Sequence, residues 1–214
     1  VPGDAEELIT TARGIDGMYV EWRKMERTGL KQAQESVLPL WERTRRFRIY
    51  SPWLIPGPVQ TAPYITALLT SLRDRRGLAD DVPAAVKVRM EKQELVHGRH
   101  TFAILLEEGA LRYRIGGSDV LAGQLDHLLD VMTLPQVSIG IIPQDADRST
   151  LWPVEGFFLY DDETVNVELV SAHLTMVQKH EISLYAKTFS ELAELAVYGV
   201  EARTIITSAV KSLR

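Results

Sequence analysis

The sequence predicts an α+β fold: a mixed sheet of about four or five strands with a β-α-β crossover, an antiparallel hairpin and flanking helices. Three observations carry this. Before residue 100 the apolar residues recur mostly at helical spacing; from residue 101 short apolar runs alternate with one amphipathic stretch; and "GFFLY" and "VNVELV" flank the turn "DDET". The boundaries that follow are residues 1–42 as an N-terminal helical linker or packing region and 43–214 as a mixed-sheet domain.

The elements follow in chain order. From Asp4 to Met25, Leu8, Ala12, Ile15, Tyr19, Trp22 and Met25 alternate steps of four and three, one stripe on a helix weakened by Gly14 and Gly17. Ile15, Tyr19, Trp22 and Met25 read as a face packing on its own domain, with a dimer seam as the other reading. "TRRFRIY" alternates Phe47 and Ile49 with Arg46 and Arg48, which suits an edge or half-exposed strand, its arginines guarding the edge or meeting a polyanion. Then "YSPWLIPGPVQTAPYITALL" sets three prolines and a glycine among apolar residues, so neither helix nor strand continues and the chain forms a shaped corner. Thr61 caps the next helix, with Pro63 in its first turn and an end near Arg76. Asp81 caps another, with Val82, Val86 and Met90 on one side and a stop before Gly98.

In the second half, "TFAILLEE" reads as a buried strand and "SDVLAGQLDHLLDVMTLP" as a helix opened by a serine cap, carrying Leu121, Leu125, Leu128 and Met132 and stopped at Pro135. "VSIGII" is the next strand, so this strand, helix, strand unit predicts a parallel pair. A hairpin, a long helix ending at Gly199 and a last helix over 201–213 complete the chain.

Composition narrows function. A chain of 214 residues, 45% hydrophobic and 25% charged, can bury a full core. No apolar run of about 18 residues suggests a membrane span, no signal segment opens the chain, and cysteine is absent, so the expected setting is cytoplasmic and thiol chemistry is excluded. Residues 1–100 hold 16 Lys and Arg against 13 Asp and Glu, whereas residues 101–214 hold 8 against 16, a poor surface for phosphate contacts.

The candidate sites are few. His97 and His100 in "HGRH" lack a third ligand and read as a polar loop entering a strand. Gly116 and Gly117 either admit an anion to a helix start or, more simply, turn into the cap. His127, with Gln124 one turn before it, suits a partly buried polar pair or a pocket wall. Glu107 and Glu168 sit at a strand end and within a strand, and with His127 they make the alternative reading, a metal-dependent hydrolase. No catalytic motif, phosphate loop or zinc-ligand set supports that chemistry, and no cofactor is expected.

Several segments carry a resemblance: "GMYVEWRKMERTGLKQAQ", "WERTRRFRIYSPWLIPGPVQTAPY", "VRMEKQELV", "EEGALRYRIGG", "QLDHLLDVMTLPQVSIGIIP", "EGFFLYDDETVNVELV" and "YAKTFSELAELAVYGVEAR". Together they resemble the C-terminal domain of actinobacterial XRE-family, or Scr-type antitoxin-like, transcriptional regulators, and the Pro-Gly-x-x-Gln-Thr corner is the most diagnostic piece. Here Pro58 and Val59 replace the usual two leucines of that corner. The resemblance implies a regulatory domain that follows a helix-turn-helix, with the DNA reader outside this chain and no catalytic residues to carry over. It implies a homodimer, a small acidic partner protein or a small-molecule ligand, and DNA reached through the missing domain. Trp53, Gln60 and Tyr64 then line the rim of a cleft, or are simply core; Glu107, Gln124, His127 and Glu168 complete the candidate ligand set.

Overall fold

The computed structural model describes residues 18–25, 27 and 29–214. Among the described residues seven strands form a single mixed sheet: β1 (Tyr19–Glu21), β2 (Arg46–Ser51), β3 (Thr101–Glu107), β4 (Val137–Ile142), β5 (Phe157–Tyr160), β6 (Thr164–Glu168) and β7 (Ala172–Met176), in the order β1-β7-β6-β5-β2-β3-β4. The expectation of four or five strands is therefore corrected to seven. The five strands read from the sequence are β2 to β6. The two additions are β1, expected as the end of a helix, and β7, whose "AHLTM" mixes polar and apolar residues without a clean period. Tertiary pairing makes both: β1 lies antiparallel to β7, Tyr19 opposite Leu174, and β7 antiparallel to β6.

Of the two readings of β2, edge or half-exposed, the edge is corrected: the strand lies parallel to β3 and antiparallel to β5, with Arg46 exposed and Arg48 partly so. Phe47, Ile49 and Tyr50 are fully buried, and Arg46 and Arg48 are held by Asp162 of the β5–β6 turn. Alternating arginines thus signal ion pairing across a turn here, not edge protection. The crossover and the hairpin form as expected: β3 and β4 are parallel, β5 and β6 antiparallel.

The helices are α1 (Trp22–Met25), α2 (Leu30–Glu35), α3 (Leu38–Arg43), α4 (Ala62–Arg76), α5 (Val82–Gln93), α6 (Ser118–Val131), α7 (Lys179–Glu194) and α8 (Gly199–Lys211). Thr61 caps α4 through its side chain, and Gly77 ends it in the left-handed region at φ 64°. Asp81 precedes α5, but its carboxylate instead accepts from the amides of Leu30 and Lys31 at 3.2 and 2.9 Å, satisfying the exposed start of α2. The residue before α6 is Gly117 rather than a capping serine. Gly199 opens α8 instead of closing α7, which ends at Glu194.

Alternation splits the core between the two faces of the sheet. Phe47, Ile49, Phe102, Ile104, Ile139 and Ile141 pack with Leu121, Leu125 and Leu128 of α6 and Ile206 of α8. On the other face Tyr50, Leu105, Phe157, Val165 and Val167 pack with Ile182, Phe189 and Leu192 of α7. The pair α4 and α5 buries a third cluster with Leu30, around Ile65, Leu69 and Val82. Together with α2 and α3 this cluster roofs the exposed half of the first face, and the space beneath it is the cleft described next.

A candidate ligand cleft beneath the glutamine-held corner

The proline-rich corner cannot satisfy its backbone through regular ladders, and three glutamine side chains do so instead. Gln60 donates its Nε2 to Ile55 O at 2.7 Å, Gln93 donates to Gly57 O at 2.5 Å, and Gln124 donates to Val59 O at 2.7 Å. Gln124 Oε1 also accepts from the Thr61 amide at 2.7 Å, so one fully buried side chain joins the corner to α6. Between these contacts residues Gly57–Val59 make a single 3-10 turn. The corner is thereby fixed with Ser51, Leu54, Ile55, Pro56, Gly57 and Gln60 along one wall of a cleft of about 370 Å³.

The floor of the cleft is the sheet face that carries Phe158, Tyr160, Asn166, Glu168 and His173, brought together by the pairs Phe158 with Asn166 and Glu168 with His173. Leu68, Leu69 and Leu72 of α4 and Leu30, Ala33 and Val37 of α2 and the turn after it give it an apolar side. Its polar side comes from α5. Arg89 donates Nε to Gln34 Oε1 at 3.0 Å and Nη1 to Gln60 Oε1 at 3.1 Å, both neutral acceptors. Lys92, 6% exposed, rests its Nζ 4.2 Å from the centre of the Trp41 ring.

The electrostatics follow from this burial. Desolvation pushes Lys92 down to about 7 from an ordinary 10.5; nearby Arg89 adds to the shift and Glu168 opposes it. Burial also lowers Arg89 and His173, each offset by Glu168, and holds the Tyr160 hydroxyl far above its usual value. Asn166 is 4% exposed and its Oδ1 has no hydrogen-bond partner among the described residues. At the mouth Trp22 stacks edge-on to His173 at 5.7 Å, donates Nε1 to Leu169 O at 2.7 Å, and lies 4.9 Å under the Arg76 guanidinium.

The residues singled out from the sequence fall in several places. Gln60 and Glu168 line the cleft, and Gln124 supports it from behind. Tyr64 is fully buried beneath the corner, its hydroxyl accepting from the Ile55 amide at 3.4 Å. Trp53 is 58% exposed and is not among the cleft residues. Glu107 lies on the opposite face of the sheet, where its carboxylate accepts from the Tyr50 hydroxyl at 2.7 Å and from Arg148 at 2.5 Å. His127 is half-buried on α6, its pKa lowered by desolvation, and is likewise outside the cleft. Glu107, Glu168 and His127 therefore do not converge: the two carboxylates occupy opposite sheet faces. Among the described residues no group of three His, Asp or Glu side chains is arranged to hold a metal.

Elsewhere, His100 is buried with Nδ1 2.6 Å from Thr44 O, while His97 closes a 3-10 turn. The expected N-terminal stripe does not lie on one helix: Tyr19 is in β1 and Trp22 begins α1, while Met25 is described only as helical backbone and Ile15 lies outside the described residues. The cleft residues that sequence reading missed are Arg89, Lys92, Trp41 and Asn166. A signal did exist for two of them, since Ala85, Val88 or Arg89, and Lys92 follow the buried stripe of α5 at helical spacing, whereas Val86 and Met90 are only partly buried.

No curated protein matches the chain. Among solved structures, TrmBL2, described as an archaeal chromatin protein with a novel mode of DNA binding, aligns with a TM-score of 0.44 at 12% identity over 85% of this chain and 52% of its own. NucT from Helicobacter pylori aligns with a TM-score of 0.45 at 11% identity over 85% of this chain and 97% of its own. This chain thus spans about half the length of TrmBL2, 52%. The family described as a domain of unknown function, DUF5753, matches residues 35–208, most of the sequence, and the chain belongs to that family.

Proposed function

We propose that this DUF5753 domain is the ligand-binding, regulatory part of a DNA-binding transcriptional regulator. The observation that carries the reading is the cleft of about 370 Å³ between the sheet and the roof formed by α2 to α5. It joins an apolar side to a few fixed polar groups, the usual composition of a small-molecule site. The resemblance to actinobacterial XRE-family regulators supplies the regulatory half of the reading, with a helix-turn-helix outside this chain reading the operator. Ligand occupancy then sets the position of β1, α1, α2 and α3, the first elements among the described residues.

Thermal unfolding with fractionated cell extract tests this. A ligand that binds only the native state raises the melting temperature, and one at a hundred times its Kd adds about 2.7 kcal/mol. Ala33→Phe fills the cleft from α2, so the shift given by the active fraction disappears in that variant. A shift that survives Ala33→Phe unchanged, or no shift with any fraction, counts against the cleft as a sensor site.

A further inference from the structure

Arg89 and Lys92 stand one helical turn apart on α5 and both reach the cleft, and among the described residues neither has a carboxylate within ion-pair distance. Burying a cation without an anion is unfavourable, and side chains free to do so extend to solvent. These two are instead held inward. Two glutamine oxygens fix the Arg89 guanidinium, the second of them also anchored to the corner through its Nε2, and the Trp41 ring carries the Lys92 ammonium. Lys92 is 6% exposed and has no hydrogen-bond acceptor among the described residues. Asn166, a 4% exposed residue of the cleft floor, likewise keeps an acceptor, Oδ1, without a partner among the described residues. Built sites leave such groups unpaired when a ligand completes them.

The geometry points to a small amphipathic carboxylate as the ligand: its anionic head on Arg89 and Lys92, its apolar body along Leu68, Leu72 and Val37. This inference rests on the cleft being a ligand site and adds the ligand's chemical class. Arg89 Nη2 has no hydrogen-bond partner among the described residues and can donate to a carboxylate oxygen, and the adjacent ammonium adds a point charge. The leucine-rich wall excludes a purely polar anion, because nothing there would replace the water such a ligand sheds. Glu168, exposed at the end of the floor strand β6 and the one carboxylate among the cleft-lining side chains, disfavours an anion whose head lies beside it.

Calorimetry on the full chain with octanoate, octanol and octylamine separates charge from apolar fit. Octanoate binds, octanol binds at least tenfold more weakly, and octylamine does not bind. Lys92→Met and Arg89→Gln each weaken octanoate at least tenfold and leave octanol unchanged. Lys92→Met removes a buried charge without opening a cavity, so it keeps the test valid if Arg89→Gln folds poorly. Equal binding of octanol and octanoate, abolished by Ala33→Phe, overturns the anionic class and leaves the cleft as a ligand site. Inorganic phosphate competing as well as octanoate overturns the apolar half, and an Arg89-dependent complex with duplex DNA assigns the cations to nucleic acid instead. No binding of any of the three octyl compounds sinks the class, while the extract experiment still decides the site.

Discussion

Lys92 is the residue at which burial and charge conflict most openly. The residue is buried, and desolvation holds its ammonium at about 7, far below the 10.5 expected of an exposed lysine. Because the folded value is the lower one, between about pH 7 and 10.5 the unfolded chain binds a proton that the folded chain lacks. Stability from this group therefore rises with pH across that window and is flat below it. Lys92→Met should stabilise the protein at pH 7 by roughly 2–4 kcal/mol, at about 1.4 kcal/mol per pKa unit less the contact with Trp41. The advantage should shrink steadily toward pH 10, which urea unfolding at several pH values measures. A constant advantage would mean that Lys92 is charged in the fold throughout. The sequence carried only a weak signal for this residue: it continues the stripe of Val82, Ala85 and Val88, but a lysine in "VRMEKQELV" reads as the solvated side of a helix until neighbouring elements cover it. Gln60 and Glu168 were legible because a rigid corner and a strand both fix where a side chain points.

Among the elements, the corner and the crossover show what local chemistry decides. Thr61, Pro63 and Gly77 bound α4 as capping rules require, and the parallel pairing of β3 with β4 follows from a helix set between two short apolar runs. What holds the corner was not legible, since Gln124 and Gln93 come from helices distant in sequence. Gln124→Leu removes a donor and an acceptor from a fully buried site and strands Val59 O and the Thr61 amide. It should cost about 2–4 kcal/mol, the sum of two buried polar groups left without partners, and weaken any cleft ligand as the corner loosens. Chemical denaturation checks the first and calorimetry the second; an unaltered midpoint would show that water replaces the glutamine. At the far edge of the sheet, Gly140 allows Tyr198 to lie against β4: a Cβ there would meet the Tyr198 ring at 2.7 Å and Leu105 at 2.9 Å. Gly140→Ala should therefore destabilise by about 1–3 kcal/mol through overpacking, and by less in combination with Tyr198→Ala, a coupling that a double-mutant cycle reads directly. β1 and β7 escaped sequence reading for the complementary reason. Each is too short to show a period, and each exists through its partner.

At the scale of the whole molecule, charge decides what the chain does with DNA. The net charge is -5, and residues 101–214 hold twice as many acidic as basic side chains. Many of the surface cations are already engaged: Arg46 and Arg48 with Asp162, Arg73 with Asp74 and Asp80, Arg112 with Glu108, Arg214 with Asp126. A duplex would have to displace these carboxylates and overcome the net negative charge of the chain. Affinity for phosphates depends on the counterions released by unopposed cations, and every cation already paired with a carboxylate contributes less to that release. The chain on its own should therefore shift a duplex only weakly at low salt, without sequence preference, and not at all near 0.15 M, where exposed charges are screened beyond about 8 Å. In the longer regulator proposed above, specific binding should come with the helix-turn-helix and respond to Ala33→Phe in the cleft. Gel retardation of this chain and of that regulator on one operator makes the comparison. Tight, sequence-specific retention by this chain alone at physiological salt would place the DNA contacts within residues 1–214 and remove the case for a separate reader.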